Sequence, residues 1–466
     1  MATNSSDNIV HLNEVIVAMV PFPEYSHLNQ HFILARFIAS HNIPVHLLSL
    51  AEQSQNFKLR GQGGLEVSNI HFNDLVLPSE TEDARYAGDD LPPIVSLLKK
   101  LSNPICKTCL ELSINAKRLV IIYDNPMTTS MGDILSFPKV ESYIFHSIPA
   151  FTRYSLFRQC IDTVDDDHEE ILPQLQDELP TMESCFGPYM ALFVRMEREL
   201  KLKSGEIMNS CREVEGKYLD LLEHENTDKK PLWAVGPLHM LLLESHNSSN
   251  TTRHECIAFL DEQDANSVIF VSFGTNTKLS QEQVNELALG LEQSNHIFIW
   301  VLKQADKKAD TKKIEEKDGK IELPNGFEER VKGRGMIVRN WVPQLEILGH
   351  ASTGGFLSHC GWNSCIESIS MGVPIAAWPN NADQPYNAVF VTSVLKVGIS
   401  VCSWDRREEL MTATTVEKSV KTLMATTEGE EMRQRAMDLS NKIKNSVRRG
   451  GLARKEMESF ISCITG

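Results

Sequence analysis

Positive charge is short in this sequence: 46 Lys and Arg stand against 62 Asp and Glu, a net of −16. A nucleic-acid binder shows a basic balance or a basic stripe, and neither is present. Long apolar runs are also missing. The longest lies around Val15 to Pro23, about half of the ~20 residues that a membrane-spanning helix needs. The opening residues MATNSSDN supply neither a basic nor an apolar signal region, so no secretion is expected. A cytoplasmic monomer is the expectation. Cysteine is sparse and scattered, ten in all, and the one close pair, Cys106-x-x-Cys109, lacks the second pair of a zinc ribbon. Buried reduced thiols are expected, and the sequons at Asn4, Asn247 and Asn250 carry little weight without secretion.

The cofactor loops of common nucleotide enzymes are absent as well. The turn after the first apolar run reads Pro21-Phe-Pro-Glu-Tyr-Ser-His27, not G-x-G-x-x-G, so no dinucleotide loop lies there. There is no G-x-x-x-x-G-K-[ST], no G-x-S-x-G and no H-E-x-x-H. These gaps argue against P-loop phosphoryl transfer, an α/β-hydrolase, a zinc protease and a Rossmann dehydrogenase or epimerase.

What is present is an α/β pattern. Short buried strands are expected at Val15–Val20, Val45–Leu50, Leu119–Tyr123 and Tyr143–His146, with helices at His27–Ala39 and Ile94–Ser113. A second set of strands is expected at Val268–Phe273, Ile297–Leu302, Met336–Val338, Gly355–Leu357 and Ile375–Trp378. Its helices fall near Gln281–Gln293, Asn363–Ser370, Gln384–Leu395, Thr415–Thr426 and Glu430–Ser446. Between the sets, Glu223–Lys230 and Glu244–Thr252 are polar, and Pro231–Pro237 reads as the semi-rigid centre of a linker. Two doubly wound halves facing across a cleft are the result, with ligands at the carboxyl ends of strands. The charged stretch Gln304–Lys320 reads as a solvated loop, as does Asp165–Glu170 with His168.

One 44-residue window, Trp341 to Gln384, is dense in polar groups at three successive strand ends. Thr353–His359 runs as a strand into Cys360-Gly-Trp-Asn-Ser364, where a helix begins. Free N–H groups at such a helix start suit a diphosphate. His359, Asn363 and Ser364 add side-chain donors, and Glu367, one turn on, can accept both hydroxyls of a ribose. Trp341 offers a flat face to a base, and Asp383 and Gln384 can read sugar hydroxyls. His350 reads as structural, tying a turn.

This window closely resembles the signature box of plant small-molecule glycosyltransferases that use UDP-sugars. The resemblance covers essentially the whole chain and implies an α/β fold of the GT-B type, two Rossmann-like domains across a cleft. It implies donor contacts from Trp341, Val342, Gln344, His359, Trp362, Asn363, Ser364, Glu367, Asp383 and Gln384, with Thr275 of Phe273-Gly-Thr on a second phosphate loop. Domain limits of 1–240 and 253–450 are expected, with 451–466 returning to the N-terminal domain by a helix near Lys455–Ile464. The strings GVPIAAWPNNADQPYNAVFVTSVLKVG, His27-Leu-Asn-Gln30 and Tyr143–Phe151 resemble the zeatin O-glucosyltransferase branch. The resemblance implies an inverting transfer, from UDP-glucose or UDP-xylose to a hydroxyl of a small metabolite such as a cytokinin. A flavonoid, terpenoid or glycoside acceptor, or a non-catalytic sugar-nucleotide binder, is the alternative. No cofactor beyond the donor and no metal is expected.

An alcohol needs a base to become a nucleophile at neutral pH, and a histidine suits the task. His27 opens the helix after the first strand, and Asp124 ends a second strand of the same sheet, so both point into one crevice. The family's catalytic dyad matches these positions. His146 reads either as an acceptor-pocket residue or as a buried structural histidine. Where the zeatin branch has a Gly-containing turn before the histidine, this chain has Glu24-Tyr25-Ser26. Ser26 would cap the His27 helix, Tyr25 would close over a flat acceptor, and Glu24 would meet a polar acceptor group or stay in solvent.

Overall fold

The computed structural model describes residues 13–59, 68–78, 92–160, 175, 177–188, 190–191, 194, 203–226, 228–241, 253–275, 277, 279–302 and 321–466. The expected loops at Gln304–Lys320 and Asp165–Glu170, the polar stretch Glu244–Thr252 and the sequons lie outside these residues.

Seven parallel strands form the first sheet: β1 (Asn13–Val20), β2 (Val45–Leu50), β3 (Ile70–Leu75), β4 (Ala116–Asp124), β5 (Val140–His146), β6 (Gly205–Met208) and β7 (Leu232–Ala234). Their order is β3-β2-β1-β4-β5-β6-β7. The central strands are apolar along their length because both faces are covered, the signature of a parallel sheet. The chain order reverses between β1 and β4, and Val20 pairs with Tyr123. The segments after Val20 and Tyr123 therefore emerge side by side at the switch point, where such sheets bind ligands.

The second sheet repeats the device with β8 (Val268–Ser272), β9 (Ile297–Val301), β10 (Gly335–Val338), β11 (Thr353–Ser358), β12 (Ile375–Ala377) and β13 (Gly398–Ser400), ordered β10-β9-β8-β11-β12-β13. Ser272 pairs with Ser358, and Ser358 with Ala377. Three loops, beginning at Phe273, His359 and Trp378, thus leave the sheet in line.

The two halves share a core. One apolar cluster joins Phe151, Tyr154, Tyr218 and Leu222 of the first half to Trp362, Ile366, Phe390 and Val447 of the second. Phe151 stacks on Phe390 at 5.1 Å, Trp362 Nε1 donates to the Asn209 carbonyl at 2.8 Å, and Thr152 Oγ1 donates to Asn387 Oδ1 at 2.8 Å. The last helix, Leu452–Thr465, packs against the first half. Its Met457, Phe460, Ile461 and Ile464 complete the core under β1, and Glu456 accepts from the Ala234 N–H at 2.6 Å.

Two sequence expectations change. Leu232–Ala234 is not linker but the outermost strand, with all three residues buried; flanking prolines hid a segment too short for a visible alternation. The helix expected over Gln384–Leu395 is α-helical only to Val389 and then widens into a π-turn over Phe390–Val394.

Candidate active site

The helix Tyr25–Ala39 follows β1 and carries His27 to the switch-point crevice. Its N-cap is Glu24, with no side-chain cap, so Ser26 sits inside the helix and does not cap it, a correction to the sequence expectation. Asp124 ends β4, wholly buried. His27 Nδ1 meets Asp124 Oδ2 at 3.1 Å and Ser147 Oγ at 3.1 Å. With Nδ1 turned to the carboxylate, Nε2 is the nitrogen left to take a proton. Burial alone would lower the His27 pKa, but the attraction and hydrogen bond of Asp124, helped by Asp383 and Glu24, leave it raised. Burial would likewise raise Asp124, yet His27 and His31 hold it well below the carboxylate range. Asp124 heads the next short helix without capping it by side chain, so its carboxylate is committed to the histidines and to the Phe22 N–H at 2.6 Å.

On the facing sheet, the helix Trp362–Met371 starts just beyond β11. The turn into it is tight: Cys360 is at φ 63° and buried, and an added Cβ on Gly361 would lie 2.6 Å from His359 Nε2. Gly274, at φ 74° after β8, clears the same ring from the other side, where a Cβ would stand 2.5 Å from Nε2. Two glycines thus make the slot that holds His359 beside the helix start. Thr275, next to Gly274, is exposed on that rim. Gln344 Nε2 donates to Ser364 Oγ at 3.0 Å and to Glu367 Oε2 at 2.8 Å, joining three expected donor residues in one network. Burial pushes the Glu367 carboxyl up to about 7 despite the bond from Gln344. Trp341 keeps 45% of its surface exposed, with His254 edge-on at 6.4 Å, while neighbouring Val342 is buried.

Other expected donor residues are engaged within the protein. The Trp362 indole lies in the shared core, not on a donor surface, because its N–H is spent on Asn209 across the halves. Asn363 Nδ2 donates to the Ser26 carbonyl at 3.3 Å, bridging the cleft one residue from His27. Gln384 closes its own loop, accepting from the Asn380 and Asn381 N–H groups and donating to Asn381 Oδ1. Asp383 accepts from Asn387 Nδ2 at 2.6 Å, and burial raises its pKa.

A cavity of about 540 Å³ opens between the halves. His27 and Ser147 line it from one side and Asp383 from the other, with Phe22, Ile94, Phe157 and Phe186 as apolar wall. Of its polar floor, the sequence reading offered only His146. Glu206 of β6 pairs with Arg153 at 2.7 Å, Lys203 at 2.6 Å and His146 at 3.1 Å, and all four line the cavity. Burial would raise Glu206, but these partners hold it well below its usual range. The only sequence signal was a carboxylate inside an apolar strand. His146 is thus both buried and at the cavity. Tyr25 is not: its ring packs on Phe57 at 5.6 Å, turned into the first half's core, and neither it nor Glu24 lines the cavity. Among the described residues no three His, Cys, Asp or Glu side chains gather as a metal would require.

Two switch-point crevices face each other, one with a polar helix start beside the Gln344–Ser364–Glu367 network and the other with a histidine–aspartate pair, the arrangement of a GT-B transferase. Residues 13–240 match the family described as glycosyltransferase, N-terminal domain, and residues 243–446 the family described as UDP-glucoronosyl and UDP-glucosyl transferase. The chain is 44% identical to a zeatin O-glucosyltransferase of Phaseolus lunatus, covering 100% of both chains. It is 42% identical to a zeatin O-xylosyltransferase of Phaseolus vulgaris, over 97% of this chain and 98% of that one. Phytolacca americana UGT2, complexed with UDP-2fluoro-glucose and pterostilbene, superposes with a TM-score of 0.74 at 26% identity, over 97% of this chain and 99% of that one. The chain belongs to the UDP-glycosyltransferase family. It is an enzyme that moves a sugar from a UDP-sugar to a small-molecule acceptor. No helix among the described residues is long and apolar enough to cross a membrane.

Proposed function

We propose that this chain glucosylates a side-chain hydroxyl of a zeatin-like cytokinin from UDP-glucose, with UDP-xylose as the alternative donor, by inversion at the anomeric carbon. The observation that carries the reading is His27 and Asp383, from opposite halves, on one cavity, with Asp124 behind His27. His27 Nε2 takes the acceptor's hydroxyl proton as the acceptor oxygen bonds to the anomeric carbon. The bond from that carbon to the diphosphate breaks, UDP departs, and an α-linked donor yields a β-glycoside. Asp124 stabilises the imidazolium that forms. Glu367 and Gln344 hold the ribose, Trp341 the base with Val342 beneath it, and His359, Ser364 and Thr275 the diphosphate. Asp383 and Gln384 meet the sugar. Helix-start N–H groups and His359 stabilise the leaving group without a metal.

The acceptor assignment draws on the two bean relatives and on the cavity, whose aromatic wall and charged floor suit a flat molecule with a hydrogen-bonding edge. Domain limits of 1–240, 253–450 and 451–466, a monomeric state and a cytoplasmic location belong to the same reading. The test is purified protein with UDP-glucose or UDP-xylose, offered trans-zeatin, cis-zeatin and a panel of hydroxylated metabolites, with EDTA in a parallel series. A β-O-glucoside of zeatin, formed equally with EDTA, is expected. Preference for an unrelated acceptor overturns the acceptor assignment, and recovery only with a divalent ion overturns the metal-free mechanism.

A further inference from the structure

A second histidine touches the reactive pair. His31 lies one turn beyond His27 on the same helix, and its ring is wholly buried. A spacing of four places both imidazoles on one face. His31 Nε2 stands 3.3 Å from Asp124 Oδ2, the oxygen that already meets His27 Nδ1 at 3.1 Å and the Phe22 N–H at 2.6 Å. Neither His31 ring nitrogen has a well-aligned hydrogen-bond partner. Phe145 stands edge-on to the ring at 4.8 Å. An apolar side chain would fill this space at lower desolvation cost, so a buried imidazole aimed at the carboxylate calls for a reason.

We infer that His31 is a positioning residue for the transfer reaction, sharing the Asp124 carboxylate so that His27 is not drawn into a standing ion pair. The inference rests on the reading of His27 as base. A buried carboxylate serving one imidazole pulls a proton onto it strongly. The base is competent only when that proton is absent. A neutral His31 with its proton on Nε2 turns the positive end of the ring dipole toward Oδ2 at 3.3 Å and weakens its pull on His27. A protonated His31 repels a second proton from His27. Both forms act in the same direction. The other charged groups that face His27 are Glu24 at its own helix start and Asp383 from the opposite half, and both favour the protonated form. Among these neighbours, His31 opposes that bias.

The experiment is the pH profile of kcat/KM for the acceptor, from about pH 5 to 9, in the parent enzyme and in His31→Phe, His31→Met and His31→Gln. Folding is checked by circular dichroism and donor binding by UDP-glucose titration. Without His31, His27 holds its proton to higher pH, so the acid limb in the Phe and Met variants moves up by about 0.5–1 pH unit. UDP-glucose affinity stays at the parent value. His31→Gln, whose amide can still donate to Asp124, keeps the parent limb. A purely structural His31 would lower the melting temperature and leave the limb in place. Folded Phe or Met variants with the parent limb overturn the inference. His27→Ala separates the two readings: full turnover removes the base assignment, whereas an inactive His27→Ala beside an unshifted His31→Phe removes only the role of His31.

Discussion

If Glu367 holds the ribose as proposed, it puts a proton where the donor binds. Burial disfavours the charge and pushes its carboxyl up to about 7 in the free protein. Two ribose hydroxyls can donate only to the ionised form with full effect. Donor binding therefore expels the proton, and UDP-glucose affinity rises with pH through about 7, then levels. Calorimetric titration near that pH, in buffers of different ionisation enthalpy, reads the release directly. Identical binding heats in all buffers contradict the ribose role, and Glu367→Gln is expected to bind weakly with no buffer dependence. At the base, His27→Ala cuts kcat by roughly 10²–10⁴ while UDP-glucose affinity holds; steady-state kinetics with a binding titration checks both. The signature box and the His27–Asp124 pair were legible because each residue stands at a strand end within a local string. His31, Ser147 and the Arg153–Lys203–Glu206 floor were not. Their meaning comes from contacts between distant segments, and a histidine inside an apolar helix reads like any core residue. Tyr25 misled for the same reason: its sequence neighbour is His27, but its spatial neighbour is Phe57.

The elements proposed to face the diphosphate depend on glycine at two places, Gly274 and Gly361, and the first is the stricter because its backbone is left-handed. Gly274 is at φ 74°, and any side chain there would also strike the His359 ring. Gly274→Ala is expected to cost about 1–2 kcal/mol in stability from the left-handed backbone. It should also raise the KM for UDP-glucose by displacing His359, with the acceptor KM little changed. Thermal melting and donor kinetics measure the two effects separately, and an unchanged donor KM removes His359 from the diphosphate site. The sequence yields β1, β2, β4, β5, β8, β9, β10, β11 and β12, most of them through a short apolar run. Those missed are β3, β6, β7 and β13. The edge strands β3, β7 and β13 are half-exposed or only three residues long, and β6 carries the buried charge of Glu206 that breaks the run.

Across the whole molecule, the shared cluster around Phe151, Trp362 and Phe390 ties the halves into one cooperative unit. A single calorimetric transition is expected rather than two, and separable peaks would contradict it. Phe460→Ala, on the last helix, removes a buried ring packed on Tyr143 and Trp233 of the other half. It is expected to cost about 3–5 kcal/mol and to lower the one melting temperature, not to loosen a separate domain. The return of that helix also bears on how the chain is made. A ribosome releases the first sheet long before Met457, Phe460, Ile461 and Ile464 exist, so the nascent half waits with an open apolar floor under β1. Holding chaperones should therefore cling to this protein until translation ends, and a message truncated before Leu452 should yield a product that is cleared rather than stored.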